Sequence, residues 1–445
     1  MLRLGFYCFC IFNLAYFSRF FEWKLYILHV PLITSIIALL GAAMDGRLLS
    51  TFRSKIGICM AALTALYAIN VPLSTWHGQS FHTFADQWVK SVIAFMIAGA
   101  LVVTFQQCRK ALNSIGWGVA IASVLAAYIG REDAGRLQVG RGTLSNANEL
   151  AFILLLGLPF LWLMASDAGA PKLKRLLAFG FSLSCIYATV RTGSRAGLIG
   201  LGILILLAFL RASIIGKLTL SVAAVAAGIA LVLYFPAVVQ RYATIFGGAE
   251  SLQGASAQEA QILDAAVSSS AARRRLLINS LKVTAAHPLT GVGLGAFGAY
   301  MAGQETAEGQ SAKFQGTHNS YTQVSSEAGI PALICFLGII FFSFTSLRKV
   351  YKRAKRSPTA VGKQVASVCY ALMSTLAAYA VCVLFDYVAY DATLPMLAGF
   401  AIALGDAGTN AIDVAEYSLQ TQAPPVAQPA MVFPVRRPRP VQSTV

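Results

Sequence analysis

The chain has 445 residues, 57% of them hydrophobic and only 12% charged, with a mean hydropathy of +0.66. Soluble domains carry roughly 25% charged residues, so a water-facing globule of this size is excluded and the bilayer is the solvent for most of the chain. The net charge of +17 would suggest nucleic acid on a soluble protein. Here most Lys and Arg lie between apolar runs, where membrane topology explains them and no nucleic-acid partner is needed.

In chain order, the apolar runs predict an all-α polytopic membrane protein of about 12 transmembrane helices. They fall near 4–18, 25–43, 56–73, 91–107, 115–129, 148–166, 177–190, 196–212, 218–238, 330–347, 365–386 and 388–405. No small-residue cleavage site follows the first run, since Tyr16, Phe17, Arg19 and Phe20 stand there, so it reads as an uncleaved span. Residues 1–129 form an N-terminal set of spans, 130–347 a central region, and 348–405 a basic loop with the last two spans. The tail, 406–445, is polar and then Pro-rich, and is expected to be disordered. The eight cysteines (Cys8, Cys10, Cys59, Cys108, Cys185, Cys335, Cys369, Cys382) sit in or beside apolar runs, without metal-ligand spacing or a disulfide framework.

The strongest marker of orientation is the run from Arg348 to Arg356, expected in the cytoplasm. Counting outward, the loops holding Arg47, Arg53 and Lys55; Arg109 and Lys110; Lys172, Lys174 and Arg175; and Arg211 and Lys217 fall on the same side. Both termini are then cytoplasmic. The long segment 239–329 lies on the opposite face, and a connection of that length is usually functional. Ser268–Ser270 are expected to cap a helix running from about Ala271 to Ala286, with Leu277 and Leu281 on a face suited to the membrane surface.

Several arginines stand on the outer side, where orientation does not require them. Arg131, Arg136 and Arg141 precede span six, Arg191 and Arg195 occupy a tight turn, and Arg273, Arg274 and Arg275 lie in the long loop. An anionic ligand would explain them, because guanidinium groups make paired hydrogen bonds to phosphate and stay charged when partly buried. Pairing with Glu132, Asp133, Glu250, Glu259 or Asp264 is the alternative. His318, on the same side, is a candidate general base. His287 fits a cap at the end of the preceding helix, and His77 and His82 lie in an outer loop before span four. Gly293-Leu294-Gly295-Ala296-Phe297-Gly298 fits G-x-G-x-x-G, but Pro288 rather than a strand precedes it, so its glycines point to a tight turn and close packing, not a dinucleotide. Nothing suggests a metal or any other cofactor.

Three segments together resemble the bacterial O-antigen ligase and polymerase superfamily. They are Thr192-Gly193-Ser194-Arg195-Ala196-Gly197; an arginine near 273 followed by His287-Pro288-Leu289-Thr290-Gly291-Val292-Gly293-Leu294-Gly295-Ala296-Phe297; and His318-Asn319-Ser320-Tyr321 with Glu327-Ala328-Gly329-Ile330-Pro331. Asn146 to Leu150 is similar to the family's pattern as well. The likeness spans about residues 130–345.

The resemblance implies a GT-C-like membrane-embedded glycosyltransferase of the bacterial inner membrane, inverting and metal-independent, with its active site facing the periplasm. It would take glycan from undecaprenyl pyrophosphate and deliver it to lipid A-core (a ligase) or to another carrier-linked chain (an O-antigen or exopolysaccharide polymerase). It assigns catalysis to His318, Arg195 and Arg273, with Arg191, Arg136, Arg141 and Arg274 on the pyrophosphate. The register within the triple arginine stays open between Arg273 and Arg274. Glu327 and Asn319 are candidates to orient the histidine. The chain departs from the pattern at Leu277, where relatives often carry an aromatic, which bears on acceptor stacking. A transporter of a lipid-linked anion would also use arginines, but it calls for charges deep in the spans, which are few here, and gives His318 no role.

Overall fold

The computed structural model describes residues 1–23, 25–133, 135–139, 142–235, 238–239, 242, 257–307 and 314–422. The fold is an all-α polytopic membrane bundle. Its helices are α1 (Leu2–Ser18), α2 (Val30–Met44), α3 (Lys55–Leu73), α4 (His77–Leu101), α5 (Phe105–Ile129), α6 (Ala147–Ala165), α7 (Lys172–Arg191), α8 (Arg195–Arg211), α9 (Ile214–Tyr234), α10 (Ala257–Ala286), α11 (Phe297–Ala307), α12 (Ser320–Arg356), α13 (Ala360–Cys382) and α14 (Thr393–Gln422). Among the described residues nine helices are long and apolar enough to cross a membrane. The remaining expected spans are helical too: α1 and α8 have 17 residues each, and α14 has 30.

The helices begin where a side chain can satisfy the free N–H groups of the first turn. Ser54, Thr104, Asn146, Ser194, Ser213, Asn319 and Thr359 each accept such a bond. The most deeply buried of the nine spans are α6 and α13. They pack on each other, with α7 and α5 against α6 and with α8 and α12 against α13. Apolar side chains on all sides of α6, such as Leu154, Leu155 and Phe160, have partners there and are buried.

Three local expectations need correction. The outer loop before span four is helical from His77, with a wider π-type stretch at Thr83–Trp88. Ser74, Ser80 and Thr83 are buried against the glycine-rich loop there, while His77 and His82 stay exposed. The helix expected from Ala271 starts at Ala257, and Ser268–Ser270 lie inside it. The preceding Ala257–Ala266 stretch is rich in strong helix formers that extend it backward. The tail from 406 continues α14 to Gln422, because Leu404, Ala407 and Ile412 repeat at helical spacing and bury; residues 423–445 lie outside the described part. The fold also holds a short antiparallel hairpin, β1 (Gly130–Asp133) with β2 (Arg136–Val139).

The glycine-rich segment after α10 is a clasp. The N–H of Val292 donates to Ser326 O and that of Gly293 to Glu327 O, both at 2.9 Å, while Thr75 N–H donates to Val292 O at 2.9 Å. The strand-like run is thus held between α12 and the start of α4. Gly293 has φ +117°, and a Cβ there would lie 1.8 Å from Ser74 Oγ. Opposite it, α12 breaks at Gly329 (φ 85°), where Pro331 cannot donate and the Ile330 N–H instead reaches Pro288 O at 2.7 Å. Gly293→Ala is therefore expected to destabilise the fold by about 1–3 kcal/mol through strain at this position. A thermal melt in detergent matching the wild type would contradict this.

Candidate active site

The site is assembled at the bundle end where α7 turns into α8, α10 approaches α12, and α13 gives way to the 383–392 loop. The tight turn is built first. Arg136 Nε donates to Thr192 O at 3.0 Å and its Nη2 to Asn148 Oδ1 at 2.8 Å. Ser194 Oγ donates to the same Asn148 oxygen at 2.9 Å and caps α8 through Gly197 N–H. Arg136 is thus spent on holding the turn. The turn aims Arg195 toward α10, where its guanidinium donates to Ser270 Oγ.

Arg191, assigned from sequence to the pyrophosphate, has a protein partner. It pairs with Glu132 of the hairpin, donates to Tyr187 Oη at 2.6 Å, and lies over the Phe235 ring at 4.9 Å. Its own turn has no acid, but β1 supplies one across space. Arg141 lies outside the described residues.

The triple arginine separates by exposure. Arg273 is half-buried, whereas Arg274 and Arg275 are exposed, and Arg275 donates to Gln315 Oε1 at 3.4 Å. The face of α10 that carries Arg273 packs on α12, where Thr284 Oγ1 meets Ser325 Oγ at 2.8 Å. Leu276 and Val283 bury against Val292 and Phe297, while Leu277 and Leu281 stay exposed. Arg273 comes into electrostatic range of Arg195, His318 and Asp386. Burial, and then Arg195, pull the Arg273 pKa below the usual arginine value, with Asp386 opposing.

His318 stands just before α12 with φ 51°, a left-handed backbone rare for a side chain with a Cβ. Thr317 Oγ1 donates to Asn319 O at 3.0 Å, and Asn319 Oδ1 accepts from the Tyr321 and Thr322 N–H groups. Asn319 therefore fixes the backbone beside the imidazole; its side chain serves as the helix cap. The imidazole meets the Tyr387 ring edge-on, centroids 5.0 Å apart. Burial, and then the Arg273 charge, hold the His318 pKa below the ordinary 6.5, so the ring is neutral at neutral pH.

Glu327 does not orient His318. Its Oε2 accepts from Gly295 N–H at 2.8 Å and from Tyr390 Oη at 2.5 Å, and the residue is 4% exposed. The carboxylate closes the glycine clasp instead, because the clasp brings free N–H groups into a buried space that needs an acceptor.

The residue missed from sequence is Asp386, in the loop after α13. It is 5% exposed; Oδ1 accepts from Tyr387 N–H at 2.9 Å, and Oδ2 has no hydrogen-bond partner among the described residues. Burial pushes its pKa up to about 6, with Arg273 opposing. Ser320 ties this loop to α12, donating from Oγ to Asp386 O at 2.8 Å and from its N–H to Val383 O at 2.8 Å. An acid ending an apolar run on the arginine side was the available signal.

Fold and site together define a polytopic membrane protein with a neutral histidine beside clustered guanidinium groups at one end of its bundle. Residues 179–337 match the family model described as Wzy_C, O-antigen ligase, so this segment is similar to the O-antigen ligase superfamily, a group of glycosyltransferase-type enzymes acting on lipid-linked glycans. The matched segment runs from α7 into α12 and contains Arg191, Arg195, Arg273, His318 and Glu327. No curated protein matched the chain in sequence.

Proposed function

We propose that this protein is an O-antigen ligase of the inner membrane, moving glycan from undecaprenyl pyrophosphate to lipid A-core on the periplasmic side with inversion and without a metal. The carrying observation is that Arg273 on α10 lies within electrostatic range of both Arg195, which reaches α10 at Ser270 from α8, and His318. As the anomeric carbon–oxygen bond breaks, negative charge grows on the departing pyrophosphate. Guanidinium groups held in place by the fold stabilise that charge without reorganising. The acceptor hydroxyl oxygen forms the new bond to carbon while His318 takes its proton, which is later released to water. Asp386 offsets the positive charge around Arg273 when the site is empty.

Arg195 and Arg273 are assigned to the pyrophosphate, with Arg136 holding the turn that aims Arg195 and Asn319 positioning the histidine. The outward orientation is supported by the gathering of basic loops at the opposite end of the bundle. The test is the lipopolysaccharide profile of a deletion strain. A ligase predicts lipid A-core without attached polymer while carrier-linked polymer accumulates. Core bearing a single repeat would instead identify a polymerase, the second reading of the same motifs.

A further inference from the structure

Two adjoining clefts open at the bundle end opposite His318. The larger, about 620 Å³, lies between α6, α7, α8 and α13, walled by Pro159, Trp162, Leu163, Phe179, Leu204 and Ala371. The smaller, about 230 Å³, shares Leu163, Ser166 and Ser367 with it and reaches Arg109 and Lys363. The two form an apolar chamber with a polar, basic mouth.

The mouth is built rather than incidental. Arg211 donates from Nη2 to Ser367 Oγ at 2.9 Å, and its guanidinium carbon sits 4.7 Å from the centre of the Tyr370 ring. The Tyr370 hydroxyl in turn donates to Leu207 O. This stacking and bonding hold the guanidinium at the edge of the chamber while leaving further N–H donors for a ligand. Arg109 is neutralised by Asp167, but among the described residues neither Arg211 nor Lys363 makes an ion pair. A charged mouth joined to an apolar chamber matches an amphiphile with an anionic head. A free phosphate would have no use for the chamber, and a neutral lipid none for the charges.

We propose that the paired clefts bind an anionic glycerophospholipid of the leaflet opposite the active site, its phosphate on Arg211 and Lys363 and one acyl chain in the larger cleft. This lipid is separate from the sugar carrier. About 22 Å of helix separates Ser367 from Cys382 at the site end of α13, at roughly 1.5 Å per residue.

The experiment is native mass spectrometry of the purified full-length protein, delipidated and then offered phosphatidylglycerol or phosphatidylcholine. Retention of phosphatidylglycerol over phosphatidylcholine is expected. Arg211→Gln and Lys363→Gln should each weaken that preference by about fivefold, the factor expected for one basic side chain facing anionic lipid. Ala208→Trp, which fills the chamber and leaves the charges intact, should abolish retention, and water-soluble glycerol phosphate should not compete. Equal retention of the two lipids, or an unchanged preference in the charge variants or in Ala208→Trp, would overturn the proposal. The readout is lipid binding, so its outcome is independent of the glycosyl-transfer reading.

Discussion

His318→Ala is expected to lower glycan transfer by about 100- to 10,000-fold, the range for loss of a positioned general base, while carrier binding and thermal stability stay near wild type. The separation follows from geometry. The imidazole meets Tyr387 edge-on and is not part of the buried apolar core, so truncation removes chemistry with little packing. The assay is purified protein with carrier-linked glycan and acceptor. Full activity in this variant would remove the proposed base. A neutral ring is required, so the rate falls as pH drops through the His318 pKa. That pKa is held below 6.5 by burial and by Arg273, which puts the acid limb of the profile below pH 6.5.

The second large effect belongs to Arg273. Arg273→Gln should lower the rate by about 100- to 1,000-fold, comparable to removing one fixed donor from a developing oxyanion. It should also move the acid limb. The Arg273 charge disfavours protonated His318, so its removal raises the His318 pKa and shifts the limb to higher pH. A donor acting only on the pyrophosphate, with no proximity to the base, would lower the rate and leave the limb in place. Arg273→Lys keeps the charge but loses the planar fork, so its limb should stay near wild type while its rate falls. Arg274→Gln is the control from the same triplet, because its side chain is exposed. Arg191→Gln should cost less than Arg273→Gln, since Glu132 already partners that charge.

Much of the architecture was legible because the bilayer imposes it. Apolar runs of spanning length had to become helices, as no water is there to satisfy the backbone. Motif order likewise pointed to Arg195, to the triple arginine at 273–275 and to His318. What could not be read was which charges were already occupied. In the sequence Arg136 and Arg191 look no different from Arg195, yet their charges serve other partners. One is bonded to Thr192 and Asn148, the other paired with Glu132, and in each case the partner comes from a separate element. Glu327 shows the same limit: the resemblance made it a candidate to orient the imidazole, but the fold carries its carboxylate to Gly295 and Tyr390.

Composition and hydrophobic periodicity by themselves determined a polytopic helical membrane protein, the positions of its spans, and the set of charged residues from which a site could be made. Those properties depend on local runs of residues and on the solvent around them. Only the tertiary structure chose Arg273 from its triplet, brought Asp386 beside it from after α13, and turned the glycine-rich motif into a clasp. Those choices depend on the relative rotation of packed helices and on long-range backbone bonds such as Gly293 N–H to Glu327 O, which no local pattern encodes.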